Sequence, residues 1–162
     1  MTHRAETGVT AITTPTNRAV AITRVVDAPR PVIFDAWTNP EQLQKWLLGP
    51  DGWTMPVCEV DPRPGGRWRY VWRKSDGTEM EMGGAFREVV SPERTVTTEK
   101  WGPEWPETVN TLVLTESGGR TTMTLTITYP TKDARDAALV TGMKEGIDQS
   151  YDWLDAVLAS MA

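Results

Sequence analysis

Between Met55 and Tyr129 the chain is written in short runs of alternating apolar and polar residues, each closed by a turn signal. A period of two over so many runs commits this stretch to an antiparallel sheet with one apolar face. Strands are predicted over 55–61, 66–74, 78–89, 94–101, 107–116 and 120–129, with turns at "RPGG", "SDG", "SPE", "GPEWP" and "ESGG". In the last strand Met123, Leu125, Ile127 and Tyr129 alternate with Thr122, Thr124, Thr126 and Thr128. In "RWRYVWRKSDGTEMEMGGAF", parity also sets the register. A two-residue Asp-Gly turn would place Trp72 opposite Glu81. A three-residue loop of Ser75, Asp76 and a left-handed Gly77 instead pairs Trp72 with Met80, Tyr70 with Met82 and Arg73 with Glu79. The second register keeps one face aromatic and Met-rich, with opposite charges meeting on the other.

Such a face must be covered, and the flanking segments show by what. "AVAITRVVDAP" alternates as a strand, with Val20, Ile22, Arg24 and Val26 on one side. Two short helices follow, the first opened by Pro31 and the second by Asn39-Pro40. After Tyr129 the period changes. Val140, Met143, Ile147, Tyr151, Leu154 and Leu158 step by three or four, which predicts one amphipathic helix from about 132 to the end. Gly142 and Gly146 lie inside it, where each costs roughly 1 kcal/mol relative to alanine. The predicted class is α+β: strand, two short helices, six antiparallel strands, and a long C-terminal helix over a curved sheet. Residues 1–17 lack periodicity and read as a flexible lead-in to a single domain over 18–162.

Composition narrows the chemistry. The only histidine is His3 and the only cysteine Cys58, which argues against a His/Cys zinc site, a Ser-His-Asp triad or an intrachain disulfide. No cofactor or metal is expected. A net charge of −5 argues against nucleic acid or an anionic membrane as the main partner. With no secretory-type apolar run and a lone cysteine, the expectation is a cytoplasmic protein, monomer or homodimer. Eight tryptophans must crowd a core or a pocket.

The stretches "DAPRPVIFDAWTNPEQLQKWLLGPDGW", "VCEVDPRPGGRWRYVW", "DGTEMEMGGAFREVVSPERTV" and "GMKEGIDQSYDWLDAVL" resemble, in order, the family named after the activator of the heat-shock-protein-90 ATPase. That family lies within the START/birch-pollen-allergen-like (SRPBCC) superfamily. The resemblance implies a helix-grip fold with a hydrophobic cavity that takes small apolar molecules, and it carries over no catalytic residue. Two departures bear on the cavity. Many members show Trp-Trp-Gly-Pro where this chain has Trp46-Leu47-Leu48-Gly49-Pro50, and many have Trp where Ile147 stands.

On this reading the ligand is a small apolar or aromatic molecule held between sheet and helix. The walls are Trp68, Tyr70, Trp72, Met80, Met82, Phe86 and Met123, while Gly142, Met143, Gly146, Ile147 and Tyr151 form the lid. Trp46, Leu47 and Trp53 stand at the mouth, and the Tyr70 and Tyr151 hydroxyls are the polar contacts. The glycines either pack the helix closely on the strands or give a ligand headroom. Arg24 reads as a structural ion pair before a ligand anchor, Cys58 as a buried hydrophobe, and Arg63-Pro64-Gly65-Gly66 as a turn. Glu99 and Asn110 sit in strands whose register the pattern leaves open, and Trp101 and Trp105 either gate the cavity or tuck onto the domain edge. Two other functions fit the same residues: a polyketide cyclase or dehydratase-like enzyme, and a chaperone or stress-response interaction protein.

Overall fold

The computed structural model describes residues 7–47 and 52–161. Strand β1 (Ala11–Thr13) and β2 (Ala19–Val26) precede helices α1 (Arg30–Thr38) and α2 (Pro40–Trp46). Six strands follow: β3 (Trp53–Val60), β4 (Arg67–Lys74), β5 (Glu79–Val90), β6 (Arg94–Trp101), β7 (Thr108–Ser117) and β8 (Arg120–Thr128). Helices α3 (Lys132–Leu139) and α4 (Met143–Met161) end the chain. The strands form one antiparallel sheet in the order β1-β2-β8-β7-β6-β5-β4-β3, so the first long strand joins the last. Its curvature and the helices on its concave side make the helix-grip fold. Among the described residues no helix is long and apolar enough to cross a membrane.

The hairpin register is the one parity selects. Trp72 pairs with Met80, Tyr70 with Met82 and Arg73 with Glu79, and Gly77 takes φ +91° in the loop. The Arg73 and Glu79 side chains close an ion pair at 2.6 Å on the outer face. Pro56 is tolerated because β3 is an edge strand, and its pairing skips between Thr54 and Val57.

Two features depart from expectation. Residues 11–13, within the segment read as a lead-in, pair with 21–23 as an added edge strand; three residues are too few to display a period. The long C-terminal helix is also two helices. α3 starts at a Thr131 cap, whose hydroxyl accepts from the Ala134 amide at 3.1 Å, and ends at Leu139. Gly142 then adopts φ +78°, the left-handed conformation that breaks a helix at little cost only when glycine supplies it. Gly142 therefore belongs to the junction, and Gly146 alone lies in a helix interior.

The core fills one end of the grip. Ile33, Leu43, Trp46, Leu114, Met123 and Leu154 are almost completely buried where α1, α2 and the second half of α4 meet the sheet. Arg24 lies on the apolar side of β2, as alternation predicts, only 2% exposed. It donates to Thr10 at 3.1 Å, Asp152 at 2.7 Å and Asp155 at 2.5 Å, pinning α4 to β2. At the other end α4 stands off the strands. A Cβ built on Gly146 would meet no atom within 4 Å, so the glycine does not serve close packing.

Candidate functional site

The space under the first half of α4 is a cavity of about 640 Å³. β4 and β5 supply the wall that parity selects: Trp68, Tyr70, Trp72, Met80, Met82 and Phe86 all line it. Gly142, Met143, Gly146, Ile147 and Tyr151 roof it, and Trp46 and Leu47 border it from α2. Two expected residues are elsewhere. Met123 shares its sheet face with Leu125 and Ile127, which do line the cavity. It lies under α1, 1% exposed, and accepts the Trp37 indole N–H at 3.4 Å. Trp53, at the start of edge strand β3, packs half-buried against the core and off the cavity wall. Leu48, Gly49 and Pro50 of the second-helix motif lie outside the described residues.

The indoles are held with their polar edges turned into protein. Trp46 donates to the Ala36 carbonyl at 3.0 Å, Trp68 to Thr98 at 3.1 Å and Trp72 to Leu47 at 2.8 Å. Trp72 and Trp101 stack with ring centres 5.7 Å apart and planes 5° from parallel, and Tyr70 meets Trp72 edge-on at 5.8 Å. Trp46 of α2 and Tyr151 of α4 are in ring contact, centroids 6.3 Å apart. A wall built this way offers ring faces and Met thioethers, which suit apolar and aromatic surface. Burial pushes the Tyr70 and Tyr151 hydroxyls well above the usual tyrosine range, so both stay protonated.

Glu99 is the polar feature that the strand pattern left open. The β6–β7 register pairs it with Thr108, and it turns into the cavity beside Trp101 and Asn110. Its carboxylate accepts the Trp101 indole N–H at 2.5 Å on one oxygen and the Asn110 amide at 2.5 Å on the other. The Thr108 hydroxyl donates to Asn110 Oδ1 at 3.0 Å, which fixes the amide with its NH₂ toward Glu99. Burial raises the Glu99 carboxyl above its ordinary range, with the two donors pulling the other way. Tyr129, also on the wall, is pushed up to about 12 by burial and then by the Glu99 charge. No Lys, Arg or His is among the described residues lining the cavity.

The remaining candidates resolve as structure. Arg24 is consumed by its two aspartates and does not line the cavity. Cys58, half-buried on β3, has its thiol pushed up to about 11 by burial, which suppresses the thiolate. Arg63–Gly66 is a turn, with Gly65 at φ +84°. Trp105 does stand at the cavity, 44% exposed in the loop after β6. Among the described residues no three His, Cys, Asp or Glu side chains are grouped to hold a metal.

This curved sheet with helices on its concave side has counterparts. Residues 27–159 match the family described as activator of Hsp90 ATPase homolog 1-like protein. The chain belongs to that family. Among family-like folds, a Rhodobacter sphaeroides protein of known structure is 28% identical with a TM-score of 0.89, over 93% of this chain and 98% of that one. The Mycobacterium smegmatis protein Ms6760 is 26% identical with a TM-score of 0.78, over 91% and 97%. The AHSA1 protein of Silicibacter pomeroyi, 20% identical over 89% and 99% with a TM-score of 0.73, shares the fold. No curated protein matches the sequence. As a member of this family the chain is an SRPBCC-type domain, a class built around a ligand cavity.

Proposed function

We propose that this family member binds a small apolar or aromatic molecule in the cavity beneath α4, in the cytoplasm, and does so without a metal or cofactor. The observation that carries this reading is the wall. Trp46, Trp68 and Trp72 have their N–H groups already bonded to backbone carbonyls around about 640 Å³ of space. That volume is within the ordinary range of small-molecule sites, roughly 300–1,000 Å³. Enclosing one aromatic ring between such faces contributes on the order of 2 kcal/mol. A single cysteine, Cys58, suits a reducing compartment.

Native mass spectrometry of freshly purified protein tests the reading directly, with quenching of the wall tryptophans by naphthylmethanol as the companion titration. A co-purifying small molecule, or saturable quenching lost when the cavity is filled by Gly146→Leu, supports it. Absence of any bound molecule together with quenching that is equal in the filled variant sinks it.

A further inference from the structure

We propose that the ligand carries a basic nitrogen on its apolar or aromatic body, and that the nitrogen seats on the Glu99 carboxylate. This rests on the cavity-binding reading above and adds the chemical class. Glu99 is the single ionisable acid among the described lining residues, and none of them is basic. The other titratable groups on the wall are Tyr70, Tyr129 and Tyr151, all driven further toward the neutral form. Burial also raises the Glu99 carboxyl, and no cation among the described lining residues offsets its ionised form, which is what a basic nitrogen would supply.

The carboxylate is prepared as an acceptor. Each oxygen takes one hydrogen bond, from Trp101 and from Asn110, and a carboxylate has room for about four. The Thr108–Asn110 bond holds the amide so that it can only donate to Glu99. A wholly apolar ligand would strip water from this group and leave its remaining capacity unpaired. An anionic ligand would meet a like charge with no cation nearby to offset it. An ammonium supplies both the missing donors and the missing charge. Trp101 meets the carboxylate through its N–H edge while its ring stacks on Trp72, so the acid sits at the border of the aromatic wall.

Isothermal titration with three probes of one shape tests this: naphthylmethylamine, naphthylmethanol and naphthoate, near neutral pH. The wild type should bind the amine about tenfold or more tighter than the alcohol, with naphthoate weakest. In Glu99→Gln the amine should fall to the affinity of the alcohol. Equal affinity for amine and alcohol in the wild type overturns the inference and leaves cavity binding intact; this comparison stands even if the variant does not fold. A preference that survives Glu99→Gln overturns it as well. Failure of all three probes to bind overturns both this inference and the cavity reading.

Discussion

The Arg24 guanidinium on β2 and the Asp155 carboxylate on α4 meet at 2.5 Å, with Arg24 buried at 2% exposure and Asp155 at 31%. Asp152, two-thirds exposed, completes the clamp at 2.7 Å. The asymmetry of burial sets which partner is costly to lose. Removing the arginine leaves two acids that water can still reach, whereas removing the acids strands a guanidinium whose Nε already lacks a partner. The double variant Asp152→Asn/Asp155→Asn should therefore lose about 3–5 kcal/mol in urea unfolding, and Arg24→Met distinctly less. A larger loss for Arg24→Met would contradict the clamp. Because Arg24 is off the cavity, Arg24→Met should also leave naphthylmethanol quenching unchanged.

Gly142 and Gly146, which the spacing presents as equivalent, should respond oppositely to alanine. Gly142 sits at φ +78°, where an L side chain is strained, so Gly142→Ala should cost about 1–2 kcal/mol. Gly146 has helical geometry and open space beyond it, so Gly146→Ala should gain up to about 1 kcal/mol. Gly146→Leu should fold, hold that gain and abolish probe binding by occupying the cavity. Loss of fold in Gly146→Leu would mean that the space is not the free volume described.

The contrast shows where the sequence speaks and where it stops. Strand parity carried the β4–β5 register, because a one-residue slip would have set Trp72 against Glu81. The same parity placed six wall residues correctly and misplaced Met123, since alternation names a face and α1 decides which part of that face is covered. The break at Gly142 was hidden because the three-four spacing of apolar residues runs through the junction unchanged. Glu99 was hidden because "RTVTTEKW" has no apolar alternation to orient it. Asn110 was legible in principle: it shares parity with Leu112 and Leu114, both buried. Its partner across the ladder is Thr97, and Glu99 is the next residue of that strand on the same face.

Glu99 also gives stability a pH signature. Its folded-state pKa is raised from the ordinary 4.5, chiefly by burial. Between 4.5 and the raised value, the folded protein holds more protons at this site than the unfolded chain. The stabilisation from the protonated form is therefore complete below the lower value and fades as pH rises through the upper one. Wild type should lose stability relative to Glu99→Gln across that window. Urea midpoints for both proteins, measured from pH values below 4.5 upward, check the sign. Parallel curves would show that the carboxyl is not buried as described. If the amine reading holds, saturating naphthylmethylamine should flatten the wild-type decline, because a bound cation stabilises the ionised form.

Trp105 and Trp101, four residues apart across the loop after β6, should separate access from architecture. Trp105 is 44% exposed at the cavity, so Trp105→Ala should change stability by no more than about 0.5 kcal/mol. Trp101 stacks on Trp72 and donates to Glu99, so its loss removes a wall and leaves the carboxylate short of a donor. Trp101→Ala should cost up to about 3 kcal/mol and weaken equilibrium binding of naphthylmethanol. If Trp105 gates the mouth, stopped-flow traces for Trp105→Ala should show association and dissociation both accelerated, with their ratio little changed. A barrier at the mouth slows both directions equally, whereas a wall that holds the ligand less tightly shows in dissociation alone. Rates identical to wild type would assign Trp105 no part in entry and return the loop to the domain edge.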